Sequence, residues 1–134
     1  MAAFLDTNIL FYAFADTTDR SVDKSAIAKA LIANLTQRNE LIVSAQVLSE
    51  FAANAIKKGN PPLHAEEAAA IVERLGRQTV ITTDASLVLL ALQRVQLSRI
   101  SYWDALIVEA AIRSGAATYT PKTCTPAHAT EIFN

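Results

Sequence analysis

The sequence predicts an α/β fold built on a small parallel sheet, and three observations support this prediction. Short apolar runs alternate along the chain with longer segments whose apolar residues recur at helical spacing. Of the 134 residues, 51% are hydrophobic, only 3 are glycine and only 4 are proline, as in a compact, ordered protein. A chain of this length commonly forms one domain, so we expect residues 1–134 to fold as a single unit.

Three short apolar runs are the predicted strands, and they occupy residues 2–5, 41–43 and 79–82. The first run ends at Asp6, and the polar residues that follow are typical of a helix start. In parallel sheets, functional sites lie at the carboxyl ends of the strands. We therefore expect Asp6 at the edge of the sheet where such a site forms.

Five segments with helical spacing follow or separate these strands. They cover residues 24–37, 45–57, 64–75, 85–95 and 102–113. Ser44, Asp84 and Ser101 precede three of the helices and are favourable N-cap residues, and glycine follows three of them. The polar stretch 16–23 is predicted to be a loop.

Cysteine content and charge narrow the class of protein. Cys124 is the only cysteine, which excludes an intramolecular disulfide and favours a reducing compartment. A signal peptide requires a basic region before its apolar run, and none precedes the first apolar run of this sequence. No apolar run approaches the ~20 residues that span a bilayer. We therefore expect a cytoplasmic protein. The net charge of −1 neither predicts nor excludes a nucleic-acid partner.

Three carboxylates, Asp6, Glu50 and Asp104, stand among apolar neighbours, where a bare charge is costly. Converging carboxylates suit a hard divalent cation such as Mg²⁺, which activates water and offsets developing charge during phosphodiester hydrolysis. Each residue also has a structural alternative. Asp6 and Asp104 could cap helices, and Glu50 could be a solvated helix residue.

Around these carboxylates the sequence resembles the motifs of PIN domains. Residues 4–10 (FLDTNIL) are similar to the opening motif of that family, residues 48–51 (LSEF) to its second motif, and residues 101–107 (SYWDALI) to its third. The order and spacing suit the compact bacterial members, which are the toxins of VapBC toxin–antitoxin pairs. The resemblance covers residues 1–114.

The resemblance implies a three-layer α/β/α sandwich and a metal-dependent endoribonuclease that acts as the toxin of a toxin–antitoxin pair. Because the matching carboxylates of the family bind Mg²⁺ or Mn²⁺, the implied catalytic residues and metal ligands are Asp6, Glu50 and Asp104. Thr7 or Asn8 would support the site through hydrogen bonds. The implied partners are an RNA substrate, a cognate antitoxin and a second copy of the chain in a homodimer.

The other polar and aromatic candidates have simpler interpretations. Asp84 is expected to cap a helix. Glu109 lies about 140° around the helix from Asp104, so it should face away from the site. Trp103 and Phe51 are expected to be core residues rather than platforms for RNA bases.

The C-terminal tail departs from the family pattern. The related toxins carry a fourth acidic motif that reads like YTEDL, whose Asp is a further ligand and would fall at Thr123. This chain reads YTPKTC at that point, and the nearest acid, Glu131, lies too far along the chain to replace it. Permitted codons for residues 120–134, read from one base earlier, spell YTEDLHAGARYGDLQ, with the acid in the register of Thr123. Our hypothesis is that the tail is the family tail in a shifted reading frame, and that losing the fourth ligand impairs activity.

Two other functions remain open on the sequence alone. A non-catalytic protein with the PIN fold could bind an antitoxin or RNA without cleaving it. A haloacid-dehalogenase-like phosphatase could use Asp6 as its nucleophile, although Asn8 stands where that class needs a second acid. A phosphatase would form an aspartyl-phosphate on Asp6, whereas a PIN nuclease would not.

Overall fold

A central sheet organises the chain. The computed structural model describes residues 1–15, 22–120 and 130–131. Within these residues the strands are β1 (Ala3–Leu5), β2 (Leu41–Ser44), β3 (Thr79–Ile81), β4 (Thr118–Thr120) and β5 (Thr130–Glu131). Their order in the sheet is β3-β2-β1-β4-β5, with the first four mutually parallel and β5 antiparallel to β4.

Helices cover the sheet and complete the predicted α/β/α sandwich. They are α1 (Thr7–Phe14), α2 (Val22–Gln37), α3 (Ala45–Lys58), α4 (Ala65–Leu75), α5 (Ala85–Ser98) and α6 (Tyr102–Ser114). Helix α1 packs against α2 and α3, α3 packs against α4, and α5 packs along α6. The predicted fold class is therefore confirmed.

Strand β1 lies at the centre of the sheet and is buried along its whole length. Ala3 pairs with Leu41 of β2 on one side and with Thr118 of β4 on the other. Phe4 and Leu5 are completely inaccessible to solvent. A parallel strand covered on both faces needs apolar side chains at every position, and the run Ala3–Leu5 meets this requirement.

Polar side chains fix where four of the helices begin. Asp6 caps α1, and the Ser44 hydroxyl accepts a hydrogen bond from the backbone N–H of Val47 at the start of α3. Asp84 caps α5 and Ser101 caps α6 in the same way. Such caps satisfy backbone N–H groups that lack partners within the helix. The predicted caps at Ser44, Asp84 and Ser101 are confirmed.

Two ion pairs join α5 and its cap residue to the C-terminal half of α6. Glu109 is 8% exposed, and its Oε1 lies 2.6 Å from Nε of Arg94. Nη1 of Arg113 lies 3.0 Å from Oδ1 of Asp84. Glu109 is thus turned towards α5, whereas the sequence predicted only that it would face away from the site.

The structure differs from the prediction at two points. Val22 and Asp23, predicted as the end of a loop, belong to α2, while residues 16–21 of that predicted loop lie outside the described residues. Strands β4 and β5 were not predicted, because their three and two mostly polar residues form no apolar run. Among the described residues, no helix is long and apolar enough to cross a membrane.

Replacing Asp84 with alanine should lower the free energy of unfolding at neutral pH by an amount that shrinks in acid. The backbone N–H of Leu87, followed by the Arg113 guanidinium, lowers the pKa of the Asp84 carboxyl. A lowered folded-state pKa gives stability that is present above the unfolded pKa of about 3.9 and is lost as the pH falls through the folded value. Urea unfolding at neutral and acid pH measures the difference.

Asp84→Asn is the matched control, because asparagine caps helices nearly as well as aspartate but carries no charge. It should retain more of the stability than Asp84→Ala at neutral pH. A gap between wild type and Asp84→Ala that stays constant from neutral to acid pH would contradict this account.

Candidate active site

Asp6 lies at the carboxyl end of the central strand and is 1% exposed. Its Oδ1 accepts a hydrogen bond from the backbone N–H of Thr7 at 2.6 Å, and its Oδ2 accepts one from the hydroxyl of Tyr119 at 2.9 Å. A buried carboxylate is costly unless such donors replace water. The first backbone N–H of α1 and a side chain of the neighbouring strand β4 are the donors here, so both oxygens of Asp6 accept a hydrogen bond.

Thr7 links Asp6 to the second candidate carboxylate. Its hydroxyl donates to Oε2 of Glu50 at 2.9 Å, and the threonine itself is 1% exposed. Because the Thr7 backbone N–H binds Asp6 while its side chain binds Glu50, one residue holds both acids. This contact joins the start of α1 to the middle of α3.

Gln46 connects Glu50 to α6. Its Nε2 donates to Oε1 of Glu50 at 2.9 Å and to the carbonyl oxygen of Trp103 at 3.0 Å. Both neighbours are acceptors, so the amide nitrogen must be the atom that faces them. Gln46 and Glu50 are four residues apart and share one face of α3, which allows this contact within the helix.

Asp104, the third candidate, lies in the first turn of α6 and is exposed. Its backbone N–H donates to the hydroxyl of Ser101 at 3.1 Å, and it follows Trp103 directly. The position near a helix N-terminus favours a negative charge electrostatically, as it does for Asp6 at the start of α1. Ser101 therefore caps α6, and Asp104 directly follows Trp103, whose carbonyl oxygen binds Gln46.

The donor chemistry of these three residues fits a hard divalent cation, because every candidate ligand atom is a carboxylate oxygen. Across residues 1–15, 22–120 and 130–131, however, no three or more His, Cys, Asp or Glu side chains form a group that could hold a metal ion. The described contacts join Asp6 to Glu50 through Thr7 and bring Gln46 to the residue before Asp104.

A cavity of about 610 Å³ opens beside Glu50, between α3 and the start of α6. Trp103 lines it and is 60% exposed, so the prediction of a core position for this residue is wrong. Phe51, the other aromatic residue expected in the core, is completely buried as predicted. The helical pattern of residues 101–107 is apolar on most sides and therefore did not show which side faces solvent.

Two residues of the site were missed by sequence reasoning. Gln46 had a weak signal, because it lies one helical turn before Glu50. Tyr119 had none, because 113 residues separate it from Asp6 and only the pairing of β1 with β4 brings them together. Asn8, proposed to support the site, is half-buried in α1, and Thr123 lies outside the described residues.

The family of the chain follows from a comparison of its sequence with family models. The PIN domain matches residues 3–120. This match spans most of the chain, which therefore belongs to the PIN-domain family. It leaves the phosphatase alternative without support. A comparison with curated proteins found no match.

Solved structures of VapC and VapBC proteins share the fold. The crystal structure of VapC20 from Mycobacterium tuberculosis, a toxin that cleaves the sarcin-ricin loop, gives a TM-score of 0.66 at 16% identity, covering 88% of this chain and 87% of that one. VapBC2 from Rickettsia felis, bound to a DNA fragment from its promoter, gives a TM-score of 0.58 at 24% identity, covering 87% of this chain and 84% of that one. At these identities the similarity establishes the fold.

Replacing Thr7 with valine should destabilise the protein through the loss of the hydroxyl that binds Glu50. A hydrogen bond to a charged group contributes about 1.5–3 kcal/mol, and valine keeps the shape of threonine but not this bond. Urea unfolding of Thr7→Val in the wild-type and Glu50→Ala backgrounds forms a double-mutant cycle. The cost of Thr7→Val should be smaller when Glu50 is absent. Equal costs in both backgrounds would rule out the bridge.

Proposed function

We propose that this chain is a metal-dependent endoribonuclease of the VapC toxin type, which cleaves a phosphodiester bond of RNA. The observation that carries the proposal is the buried Asp6 at the carboxyl end of the central strand, joined through Thr7 to Glu50. Acidic residues gathered at this edge of a parallel sheet are characteristic of a site rather than of a stabilised core. Membership of the PIN family and the VapC-like fold support the same conclusion.

Asp6, Glu50 and Asp104 are the proposed ligands of Mg²⁺ or Mn²⁺ and the proposed catalytic residues. A divalent cation bound there would supply an activated water and offset the charge that develops on the phosphate. The chain's own contribution is to hold the carboxylates in place. Tyr119 and the backbone N–H of Thr7 orient Asp6, while the Thr7 hydroxyl and the Gln46 amide orient Glu50. Asn8 is the other proposed supporting residue.

A non-catalytic PIN-fold protein is the second candidate function, and one observation favours it. The tail of the sequence lacks the fourth acid of the related toxins. Such a protein would bind an antitoxin or RNA without cleaving it, so cleavage is the property that distinguishes the two candidates.

Neutral replacements of the proposed ligands should abolish RNA cleavage. Asp6→Asn, Glu50→Gln and Asp104→Asn each keep the size of the side chain while removing a negative charge that the cation needs. Loss of one positioned catalytic group commonly lowers the rate by about 10²–10⁴-fold. Cleavage of a labelled cellular RNA preparation with Mg²⁺ or Mn²⁺, and again with EDTA, measures the effect.

Glu66→Gln is the matched control, because Glu66 is an exposed carboxylate in the first turn of α4 and is not a proposed ligand. It should leave cleavage unchanged. Cleavage that persists in EDTA, or that survives all three replacements, would refute the proposed site. A chain that binds RNA but never cleaves it would favour the non-catalytic alternative.

Replacing residues 120–134 with the shifted-frame sequence YTEDLHAGARYGDLQ should strengthen both metal binding and cleavage. The exchange adds the Glu and Asp of the family motif and removes Lys122, so the local charge becomes more negative. Calorimetric titration with Mn²⁺ and the cleavage assay compare the two chains. If the present chain binds Mn²⁺ and cleaves RNA as well as the exchanged one, the fourth acid is dispensable.

The proposed partners are an antitoxin protein and a second copy of the chain, and the proposed location is the cytoplasm, where RNA and antitoxin are present together. The fold similarity to VapBC2 supports the antitoxin. Helix α5 supports self-association, because its leucines at positions 89, 90, 92 and 97 are exposed. An exposed apolar surface of this kind is characteristic of an interface.

Light scattering should therefore give the mass of a dimer, and replacing Leu89 and Leu92 with glutamate should give that of a monomer. Both residues lie on α5, where a charge buried between two copies would be costly. Ile27→Glu, which adds a charge at an exposed position of α2, is the control. A strict monomer at high concentration, with no co-purifying partner, would contradict the proposal.

A further inference from the structure

The cavity beside Glu50 has the size of a small-molecule site. Its volume of about 610 Å³ lies within the ~300–1,000 Å³ typical of pockets that bind compact ligands. Glu50 forms part of its wall, together with Gln46 and Ser49 from the same helix. Trp103, at the start of α6, lines the opposite side of the cavity. Any group bound there would lie directly beside a proposed metal ligand.

The chemistry of the wall suits an uncharged, planar group. Among the described residues that line the cavity, Glu50 is the only charged one and none is basic, so the wall offers no counter-charge to a phosphate. Ser49 and Thr83 supply hydroxyls, and Gln46 supplies an amide whose nitrogen is engaged by Glu50 and the Trp103 carbonyl. Hydroxyls and amides are the groups that pair with the edges of nucleobases.

Trp103 provides an aromatic surface at the same place. The indole is 60% exposed, although the apolar residues Ala105, Leu106 and Ile107 that follow in the same helix are buried. The ring of Tyr102 contacts it edge to face, with centroids 5.2 Å apart and an angle of 69° between the planes. A ring held in this way loses little conformational freedom when a base stacks on it.

We propose that this cavity binds one nucleobase of the RNA, adjacent to the phosphate that is cleaved, with Trp103 as its stacking surface. The inference rests on the proposed function, which puts the phosphate at Asp6, Glu50 and Asp104. A nucleotide carries its base one sugar away from its phosphate, so a base neighbouring that phosphate would reach a cavity walled by Glu50. Because bases within a helix are already stacked, the substrate class is RNA that is single-stranded or looped at this nucleotide.

Trp103 is the only tryptophan in the sequence, so its emission reports on this cavity alone. The experiment titrates the full chain with fluorescein-labelled uridine, adenosine and cytidine pentanucleotides, with Ca²⁺ in place of Mg²⁺. Tryptophan emission, measured with the same pentanucleotides without the label, detects stacking, and the anisotropy of the label independently detects binding. A pentamer of base-free ribose phosphates has the same charge and serves as the matched probe without bases.

At least one of the base-containing pentanucleotides should quench the tryptophan emission at the concentration at which its anisotropy rises. Trp103→Ala should weaken its binding by roughly 5- to 150-fold, the range found for the loss of one base–aromatic stack. Trp103→Phe, which retains an aromatic ring, should weaken it less. Ile27→Ala, which removes an exposed apolar side chain on α2, should have no effect. Circular dichroism shows whether each variant keeps its fold.

Four outcomes would overturn the inference, and they distinguish its failure from that of the proposed function. Binding by anisotropy with unchanged tryptophan emission, and with equal affinity for Trp103→Ala, would leave the ribonuclease intact and remove the base site. A base-free pentamer that binds with the same affinity as the base-containing pentanucleotides would also leave the ribonuclease intact and remove the base site. Emission that changes with protein concentration in the absence of RNA, and not with RNA, would assign Trp103 to an interface between copies. The absence of binding by any pentanucleotide would count against the proposed function as well.

Discussion

The central position of β1 is the constraint on which the site depends. Its parallel pairing with β2 and β4 puts Asp6 at the edge of the sheet where α3 begins, and within reach of Tyr119 on β4. The rings of Phe4 and Tyr119 also contact each other, with centroids 5.8 Å apart. A slip of one residue in this register would turn the side chains of β1 to the opposite face of the sheet. The apolar core and the acidic site are therefore fixed by the same strand pairing.

A series of hydrogen bonds carries this constraint from the sheet to the helices. It runs from Tyr119 to Asp6, through Thr7 to Glu50, and through Gln46 to the backbone of α6. Polar groups that satisfy one another in a partly buried setting restrict the orientation of every member. In the proposed nuclease, the residues that stabilise the two acids are thus also those that would orient them towards a cation.

The sequence predicted the elements whose signals are local. Asp6 after an apolar run, and Ser44, Asp84 and Ser101 before helical patterns, marked the ends of strands and the starts of helices correctly. Residues whose role depends on distant partners could not be predicted in this way. Tyr119 meets Asp6 only through strand pairing, and the exposure of Trp103 depends on which side of α6 packs inward. The family motifs predicted that Asp6, Glu50 and Asp104 converge and that Thr7 or Asn8 supports them, but no local pattern predicted that Thr7 joins Asp6 to Glu50.

The central claim is that Asp6, Glu50 and Asp104 bind one divalent cation, and electron paramagnetic resonance of Mn²⁺ tests it without requiring RNA or activity. Mn²⁺ bound to the protein loses the sharp signal of the free ion, so the bound fraction is read directly. We predict that the chain binds one Mn²⁺, more weakly than the version with the shifted-frame tail, and that Asp6→Asn abolishes binding in both. Glu66→Gln should leave it unchanged. Mn²⁺ binding that is the same with and without Asp6→Asn, or absent from both chains, would contradict the account.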